Sequence, residues 1–126
     1  MSKQTFLTRH FQRWTRKTAL TEKALCKSVN EMSLGLIDAD LGGGVVKKRI
    51  PVGGRGKSGG IRTLVATNKG DRWFFVFGFA KNARANVNDT ALTALQSLTA
   101  DLLQLTQPQL KEAVEDGSLQ EICRDQ

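Results

Sequence analysis

A run of cations and glycines in the middle of the chain is the part of the sequence best suited to chemistry. It is PVGGRGKSGG over residues 51–60, and Arg55 and Lys57 supply its charge. Glycines leave backbone N–H groups unobstructed and permit positive φ, so such a loop can bend closely around a phosphate. Pro51 stands where a nucleotide-binding P-loop requires its first glycine, and a β-branched run follows where that motif requires a helix. The loop therefore indicates phosphate binding without indicating an NTP site.

Positive charge is concentrated around this loop. Residues 47–84 contain ten Lys and Arg against one Asp, a local balance of +9, whereas residues 85–126 contain two Lys and Arg against seven Asp and Glu. The whole chain of 126 residues has a formal net charge of +7. A cationic block built into predicted strands is typical of a surface that contacts nucleic acid.

The residue types in this block restrict the chemistry that it could perform on RNA. Cleavage requires a base that takes the 2′-OH proton, an acid that protonates the leaving 5′-oxygen, and positive charge near the phosphorane. The block contains no histidine or glutamate, and its one carboxylate, Asp71, lies in a predicted turn. Lysine can act as a base where other cations destabilise its charged form, and arginine can hold the phosphate. Such a site would benefit from a scaffold that orients the substrate.

Three predicted strands position these cations. They are VVKKRI (45–50), IRTLVAT (61–67) and RWFFVFGFA (72–80), and the NKGD turn between the last two is typical of a hairpin. Alternation places Lys47 and Arg49 on one face of the first strand. The third strand is apolar on both faces, which predicts a place inside the sheet. We expect one of its faces to hold the side chains of Trp73, Phe75, Phe77 and Phe79.

Helical spacing predicts that the chain begins with a helical hairpin. Leu7, Phe11 and Trp14 follow one another at helical spacing, with basic residues on the other sides of the helix. Thr21 can cap a second amphipathic helix.

Two further helices are predicted after the strands. Asn88 or Asp89 can cap a leucine-rich helix, and Thr106 can cap a short one. The predicted order ααβββαα indicates an α+β fold with an N-terminal helical hairpin, a small antiparallel sheet and C-terminal helices. The length predicts a single domain over residues 1–126.

The stretch KKRIPVGGRGKSGGIRTLVATNKGDRWFFVFGFAKNARANV resembles the RelE/HigB-like toxins of bacterial type II toxin–antitoxin systems. It is similar to the branch with a K-x-R strand, a G-[KR]-G-K-x-G-G-x-R loop and a hydrophobic strand ending in GxAKN. The LIDADLGGG segment before it and the leucine-rich helix after it are also similar, so the resemblance covers most of the chain. It implies a small RelE-like microbial RNase fold and metal-independent cleavage of mRNA in the ribosomal A site by 2′-OH attack.

The resemblance also implies roles for individual residues. Lys47 and Arg49 match the K-x-R strand, whose cations serve in proton abstraction and phosphate contact. Arg62 follows the glycine pair and would stabilise the phosphorane, and Lys81 stands where better-studied members carry arginine as a candidate acid. The chain contains no tyrosine, although several members use one near the C-terminus. Further contacts with RNA or the ribosome are expected from Lys48, Arg55, Lys57, Asn82 and Arg84.

Partners follow from the same resemblance. It implies a cognate antitoxin, often a helix-turn-helix protein, in a toxin–antitoxin hetero-oligomer, together with the ribosome and mRNA, and no cofactor. Two other functions stay open at this point: a ParE-like noncatalytic gyrase inhibitor, and a nucleic-acid-binding module of the same fold. Cations that converge on one phosphate favour the ribonuclease, because a protein-binding inhibitor does not need them.

The histidine and the cysteines lie outside the cationic block. We expect His10 to be a surface or packing residue rather than part of a site. Cys26 and Cys123 have no metal-ligand spacing, and we expect them to be reduced, small apolar side chains. No apolar run reaches the roughly 18 residues of a membrane span, and the first residues lack the apolar stretch of a signal peptide. We therefore expect a cytoplasmic protein without a membrane partner.

Overall fold

The computed structural model describes residues 3–51, 60–80 and 88–124. Within these ranges the chain forms six strands and four helices. In chain order they are β1 (Gln4–Thr8), α1 (Arg9–Thr15), α2 (Glu22–Ser33), β2 (Ala39–Gly42), β3 (Val45–Ile50), β4 (Ile61–Thr67), β5 (Arg72–Ala80), α3 (Asp89–Leu103), α4 (Gln107–Glu115) and β6 (Leu119–Ile122). The predicted α+β class is confirmed.

The sheet is larger than expected and is mixed rather than antiparallel. Its strand order is β2-β3-β4-β5-β1-β6. β1 runs parallel to β5, and the other neighbouring strands are antiparallel. The three predicted strands are β3, β4 and β5, and the sequence patterns missed the three that flank them. β5 lies inside the sheet, between β4 and β1, as its apolar faces predict.

The first described element is a strand, so the expected N-terminal helical hairpin is not confirmed. β1 is buried between β5 and β6, and Thr8 at its end caps α1 by accepting a hydrogen bond from the Phe11 N–H. Leu7 and Phe11 belong to the same apolar cluster, the first from a strand and the second from a helix. Apolar residues at helical spacing here belong partly to a strand and partly to a helix. Periodicity alone does not reveal the boundary between the two elements.

The later helices begin where side-chain caps were expected. Thr21 accepts a hydrogen bond from Ala24 N–H at the start of α2, and Asn88, rather than Asp89, caps α3. Thr106 and Gln109 form a reciprocal capping box at the start of α4. These caps satisfy backbone N–H groups that have no partner within the helix.

The sheet separates two apolar clusters. On one side, α1 and α2 cover residues that include Val46, Val65 and Phe75. On the other side, α3 and α4 cover residues that include Ala66 and Phe74. The central strands are therefore buried on both faces in this part of the sheet.

A register shift in β5 changes which of its side chains share a face. Val65 is paired with Phe75, whereas the preceding residue Leu64 is paired with Phe77, so β5 contains one extra residue, Val76, at this point. Such a bulge reverses the alternation of side chains beyond it. The expectation that Phe77 and Phe79 share the face of Phe75 is therefore wrong.

Gly78 shows the effect of this reversal most directly. A Cβ atom built on Gly78 would lie 2.3 Å from Cζ3 of Trp14, so the α1 indole packs directly on the strand backbone. Trp14 itself packs against the α1–α2 cluster that contains Phe11. The absent side chain at Gly78 thus sets how closely α1 approaches β5.

The two cysteines form a disulfide, which corrects the expectation that they are reduced. Cys26 is buried on α2, Cys123 follows β6, and their Cα atoms lie 5.6 Å apart. Cys123 has a φ of 64°, and its N–H donates a hydrogen bond to Glu22 at the start of α2. The two cysteines are separated by 97 residues in the sequence, so no local pattern predicts that they form a disulfide.

We predict that Gly78→Ala lowers the free energy of unfolding by about 1–3 kcal/mol, the usual cost of forcing extra volume into a packed site. Gly70→Ala is the matched control, because a Cβ atom there would meet its nearest neighbour, Asn68, at an ordinary 3.5 Å. Urea denaturation of both variants measures the difference. Equal stabilities would show that the Trp14 contact does not restrict α1.

We also predict that reduction destabilises the protein by about 2–4 kcal/mol, as is typical when a disulfide that closes a long loop is broken. Thermal unfolding with and without dithiothreitol measures this effect. A Cys26→Ala/Cys123→Ala double variant should unfold at the same temperature in both buffers. A wild-type protein with reduced thiols and an unchanged Tm would contradict the prediction.

Candidate functional site

The predicted cations of β3 and β4 lie on one face of the sheet, together with two phenylalanines of β5. Pairing places Lys47, Leu64 and Phe77 in one row across the three strands. It places Arg49, Arg62 and Phe79 in the next row. Residues that are directly opposite in neighbouring strands share a face. We refer to Lys47, Arg49, Arg62, Phe77 and Phe79 as the cationic face.

The cationic face continues the side of the sheet that α3 and α4 cover elsewhere. Val45 and Ala66 are opposite one another two residues beyond Lys47, and Ala66 packs in the α3–α4 cluster. None of the described residues in that cluster belongs to the two rows of the cationic face. Arg49 is exposed, and Lys47, Arg62 and both phenylalanines are half-buried, so a ligand can reach them.

Arg49 and Arg62 are direct partners in the antiparallel ladder of β3 and β4. Like charges in this position repel, and the pair costs stability instead of contributing to it. Neither arginine forms an ion pair with a carboxylate in the part of the chain that the structure describes. An anion bound between the two guanidinium groups would remove this repulsion.

The Arg62 guanidinium also has an unused donor. Its Nη1 atom is buried and forms no hydrogen bond with the residues that the structure describes. A buried charged nitrogen without an acceptor is costly, and a phosphate oxygen is well suited to accept from it. The site therefore pairs two guanidinium groups, one of which has a buried N–H group without an acceptor in the described part of the chain.

Backbone contacts fix the strand that carries Lys47 and Arg49. Asp38 accepts a hydrogen bond of 2.6 Å from the Arg49 N–H, and the Asp38 N–H donates to the Lys47 carbonyl at 3.0 Å. On the other side, the Arg49 stem packs over Gly60, where a Cβ atom would lie 3.4 Å from the arginine Cδ. These contacts hold the backbone of β3 while its long cationic side chains stay available.

Lys48 lies on the opposite face and is not part of the cationic face. It is buried, forms an ion pair of 3.1 Å with Glu31 of α2, and donates a hydrogen bond of 2.9 Å to the Leu36 carbonyl. Strand alternation separates it from its two cationic neighbours. The expected contact of Lys48 with RNA is corrected accordingly, because its ammonium group has other partners beneath the sheet.

Five of the expected site residues lie outside the described ranges. They are Arg55, Lys57, Lys81, Asn82 and Arg84. Lys47, Arg49 and Arg62 are thus the expected catalytic residues that the structure brings together.

His10 contacts the cationic face, although the sequence suggested no role for it. Its ring is stacked on that of Phe77, with centroids 5.3 Å apart and an interplanar angle of 6°. Phe77 in turn contacts Phe79, at 6.1 Å between centroids. His10 and Phe77 are far apart in the sequence, and no motif or spacing predicts that they meet.

Three carboxyl groups with lowered pKa values lie away from this face. Hydrogen bonding by the Lys69 ammonium lowers the pKa of Asp40, and hydrogen bonding by Asn68 lowers the pKa of Asp71. Hydrogen bonds from Ser118 lower the pKa of Asp116. A carboxylate whose pKa is lowered is a weaker proton acceptor, so these three are poor candidates for a general base.

The described residues contain neither a cluster of metal-ligand type nor a membrane-spanning helix. Across residues 3–51, 60–80 and 88–124, no three His, Cys, Asp or Glu side chains are grouped so that they could hold a metal ion. None of the helices in these ranges is long and apolar enough to cross a membrane.

Comparison with known proteins identifies one protein family. The family model described as the RelE toxin of the RelE / RelB toxin–antitoxin system matches residues 3–122. The match includes all six strands and four helices of the described structure and the whole cationic face. No curated protein matches the chain.

We predict that Arg49→Thr raises the free energy of unfolding by about 0.2–1 kcal/mol, because it removes a like-charge pair from the ladder and introduces a residue that favours strands. The gain should shrink at high salt, which screens charge repulsion. Lys47→Thr is the matched control, since it changes the same face of the same strand but faces Leu64. Urea denaturation that gives equal gains for both variants would contradict the repulsion.

Proposed function

The chain belongs to the RelE toxin family, and from this membership we propose that it is a ribosome-dependent mRNA endoribonuclease that inhibits translation. As a member of the family, it is the toxin of a toxin–antitoxin system and has a cognate antitoxin as its partner. Beyond family membership, the proposal specifies the reaction, the use of the ribosome as a scaffold and the residues that take part in catalysis.

The pairing of Arg49 with Arg62 carries the proposal. A sheet that serves only as a structural support gains nothing from two guanidinium groups directly opposite each other. A site for a phosphate diester uses both, because the phosphorane gains negative charge between them in the transition state. Nη1 of Arg62, which has no acceptor among the described residues, supports the same conclusion, since the phosphorane oxygen would provide one.

In the proposed reaction the 2′-oxygen of the RNA attacks the adjacent phosphorus. Lys47, in its neutral form, accepts the 2′-OH proton through Nζ as the 2′-O–P bond forms. Arg49 contacts the phosphate, and Arg62 stabilises the phosphorane. The P–O5′ bond then breaks, and the leaving oxygen takes a proton from an acid, for which we propose Lys81. The products are a 2′,3′-cyclic phosphate and a 5′-hydroxyl.

The composition of the face supports dependence on the ribosome. Its described polar residues are lysine and arginine, which are weaker proton-transfer groups at neutral pH than histidine or glutamate. A site of this kind gains most when a scaffold holds the 2′-OH in line with the leaving oxygen, because orientation alone can supply a large part of a barrier. The ribosome holds mRNA in a fixed path and can act as that scaffold.

We predict that Arg62→Ala lowers the rate of mRNA cleavage about 10²-fold or more, the order observed when one contact to developing charge is removed. The assay is primer extension on mRNA bound to programmed ribosomes, at saturating protein. Lys27→Ala is the matched control, because it removes an exposed cation from α2, which covers the other face of the sheet. It should cleave like the wild type.

Two outcomes would overturn the proposal in different ways. If Arg62→Ala cleaves mRNA at the wild-type rate, the cationic face does not take part in the reaction. If induction of the wild-type protein leaves translation intact while DNA supercoiling fails, the chain acts as a gyrase inhibitor and the ribonuclease proposal is wrong.

A further inference from the structure

Three aromatic rings form a continuous group beside the cations of the sheet. His10 is stacked on Phe77, and Phe77 contacts Phe79. Phe79 is the direct partner of Arg62 on the neighbouring strand. One member of the group is therefore adjacent to the arginine that we propose stabilises the phosphorane. We refer to His10, Phe77 and Phe79 as the ring group.

We propose that the ring group is a stacking site for a nucleobase, which makes the cationic face a site for a nucleotide and not only for a phosphate. The proposal rests on the proposed function, because it assigns a second contact to the same RNA. It gives His10 a role in binding the substrate.

The placement of the three rings supports stacking. His10 is exposed. One side of the imidazole contacts Phe77 in a nearly parallel arrangement, which leaves the opposite side for another ring. Bases stack on aromatic side chains of single-stranded RNA-binding sites in this way, and the gain depends little on which base is bound.

Core packing does not account for the ring group. The other rings of β5, on Trp73, Phe74 and Phe75, are completely buried. Phe77 and Phe79 are only half-buried, and neither belongs to the described residues of the two apolar clusters. The bulge at Val76 directs them to the side that carries the cations, although an unbroken strand would have directed them to the core under α1.

The ring group lies directly beside the two paired arginines. Neighbouring strands lie about 4.8 Å apart, so Phe79 is one such step from Arg62 and two from Arg49. A phosphate held by the two arginines therefore has the Phe79 end of the ring group on its β5 side. The arginines supply charge and the rings supply a flat apolar surface, and these are the two components of sequence-tolerant single-strand binding.

The sequence contains one histidine, and this permits a direct test by proton NMR on tag-free protein. The imidazole resonances of His10 can be followed without further assignment while adenosine 5′-monophosphate is added. A stacked adenine should move them upfield through its ring current. Ribose 5-phosphate, which has the same phosphate and sugar without a base, should not do so. Equal responses to the two ligands would overturn the proposal.

Affinity measurements with variants test the same site. By fluorescence anisotropy, His10→Ala should bind a short oligoadenylate about tenfold or more weakly, the scale of one lost base stack. His10→Phe should keep the affinity, because it preserves an aromatic ring. Inorganic polyphosphate should bind wild type and His10→Ala equally, whereas Arg49→Ala should weaken both ligands. If His10→Ala weakens both ligands alike, or neither, the stacking site is wrong.

These measurements need neither a ribosome nor cleavage, so they separate the two proposals. If the wild-type protein does not cleave mRNA but His10→Ala loses base-dependent binding, the stacking site is retained and the ribonuclease function is wrong. If cleavage depends on Arg62 but His10→Ala binds RNA as tightly as the wild type, the ribonuclease function is retained and the stacking site is wrong.

Discussion

The register of β4 between β3 and β5 is the constraint on which the site depends. It places Arg49 opposite Arg62 and Arg62 opposite Phe79, and each of these contacts would be lost if either neighbour shifted by one residue. A shift of that kind moves every side chain of a strand to the other face. It would place Lys47 beneath the sheet and bring buried Lys48 to the outside. The apolar residues of the same strands prevent it, because Val46 and Val65 fill the core under α2.

The site is therefore stabilised by residues that take no part in it. The repulsion between the two arginines is small compared with the free energy gained by burying the three aromatic rings at Trp73, Phe74 and Phe75. The ion pair of Lys48 with Glu31 also joins β3 to α2 from the side opposite the arginines. Both faces of these strands thus contribute to stability, and the site occupies a part of one face that the helices of the described chain do not cover.

The sequence predicted those parts of the fold that depend on local patterns. Alternation located β3, β4 and β5, and side-chain caps located α2, α3 and α4, because both signals lie within a few residues. It did not reveal β1, which depends on partners far along the chain, nor the disulfide between Cys26 and Cys123. Within the site, alternation along β3 correctly put Lys47 and Arg49 together. It could not show the bulge at Val76, and so it assigned the last two phenylalanines of β5 to the wrong face and gave no reason to consider His10.

The position of β1 has a consequence for how the chain is made. β1 pairs with β5 and β6, so it completes its pairing only after β6, the last of the described strands, has been synthesised. The strands that build the cationic face pair with their neighbours in sequence, whereas β1 depends on contacts of high sequence separation, which form slowly. A ribosome that stops before β6 releases a chain whose first strand has one unpaired edge, and such edges are open to pairing with other chains. Incomplete copies of this toxin are therefore candidates for aggregation and proteolysis, because β1 becomes an inner strand of the sheet only when β6 has been added.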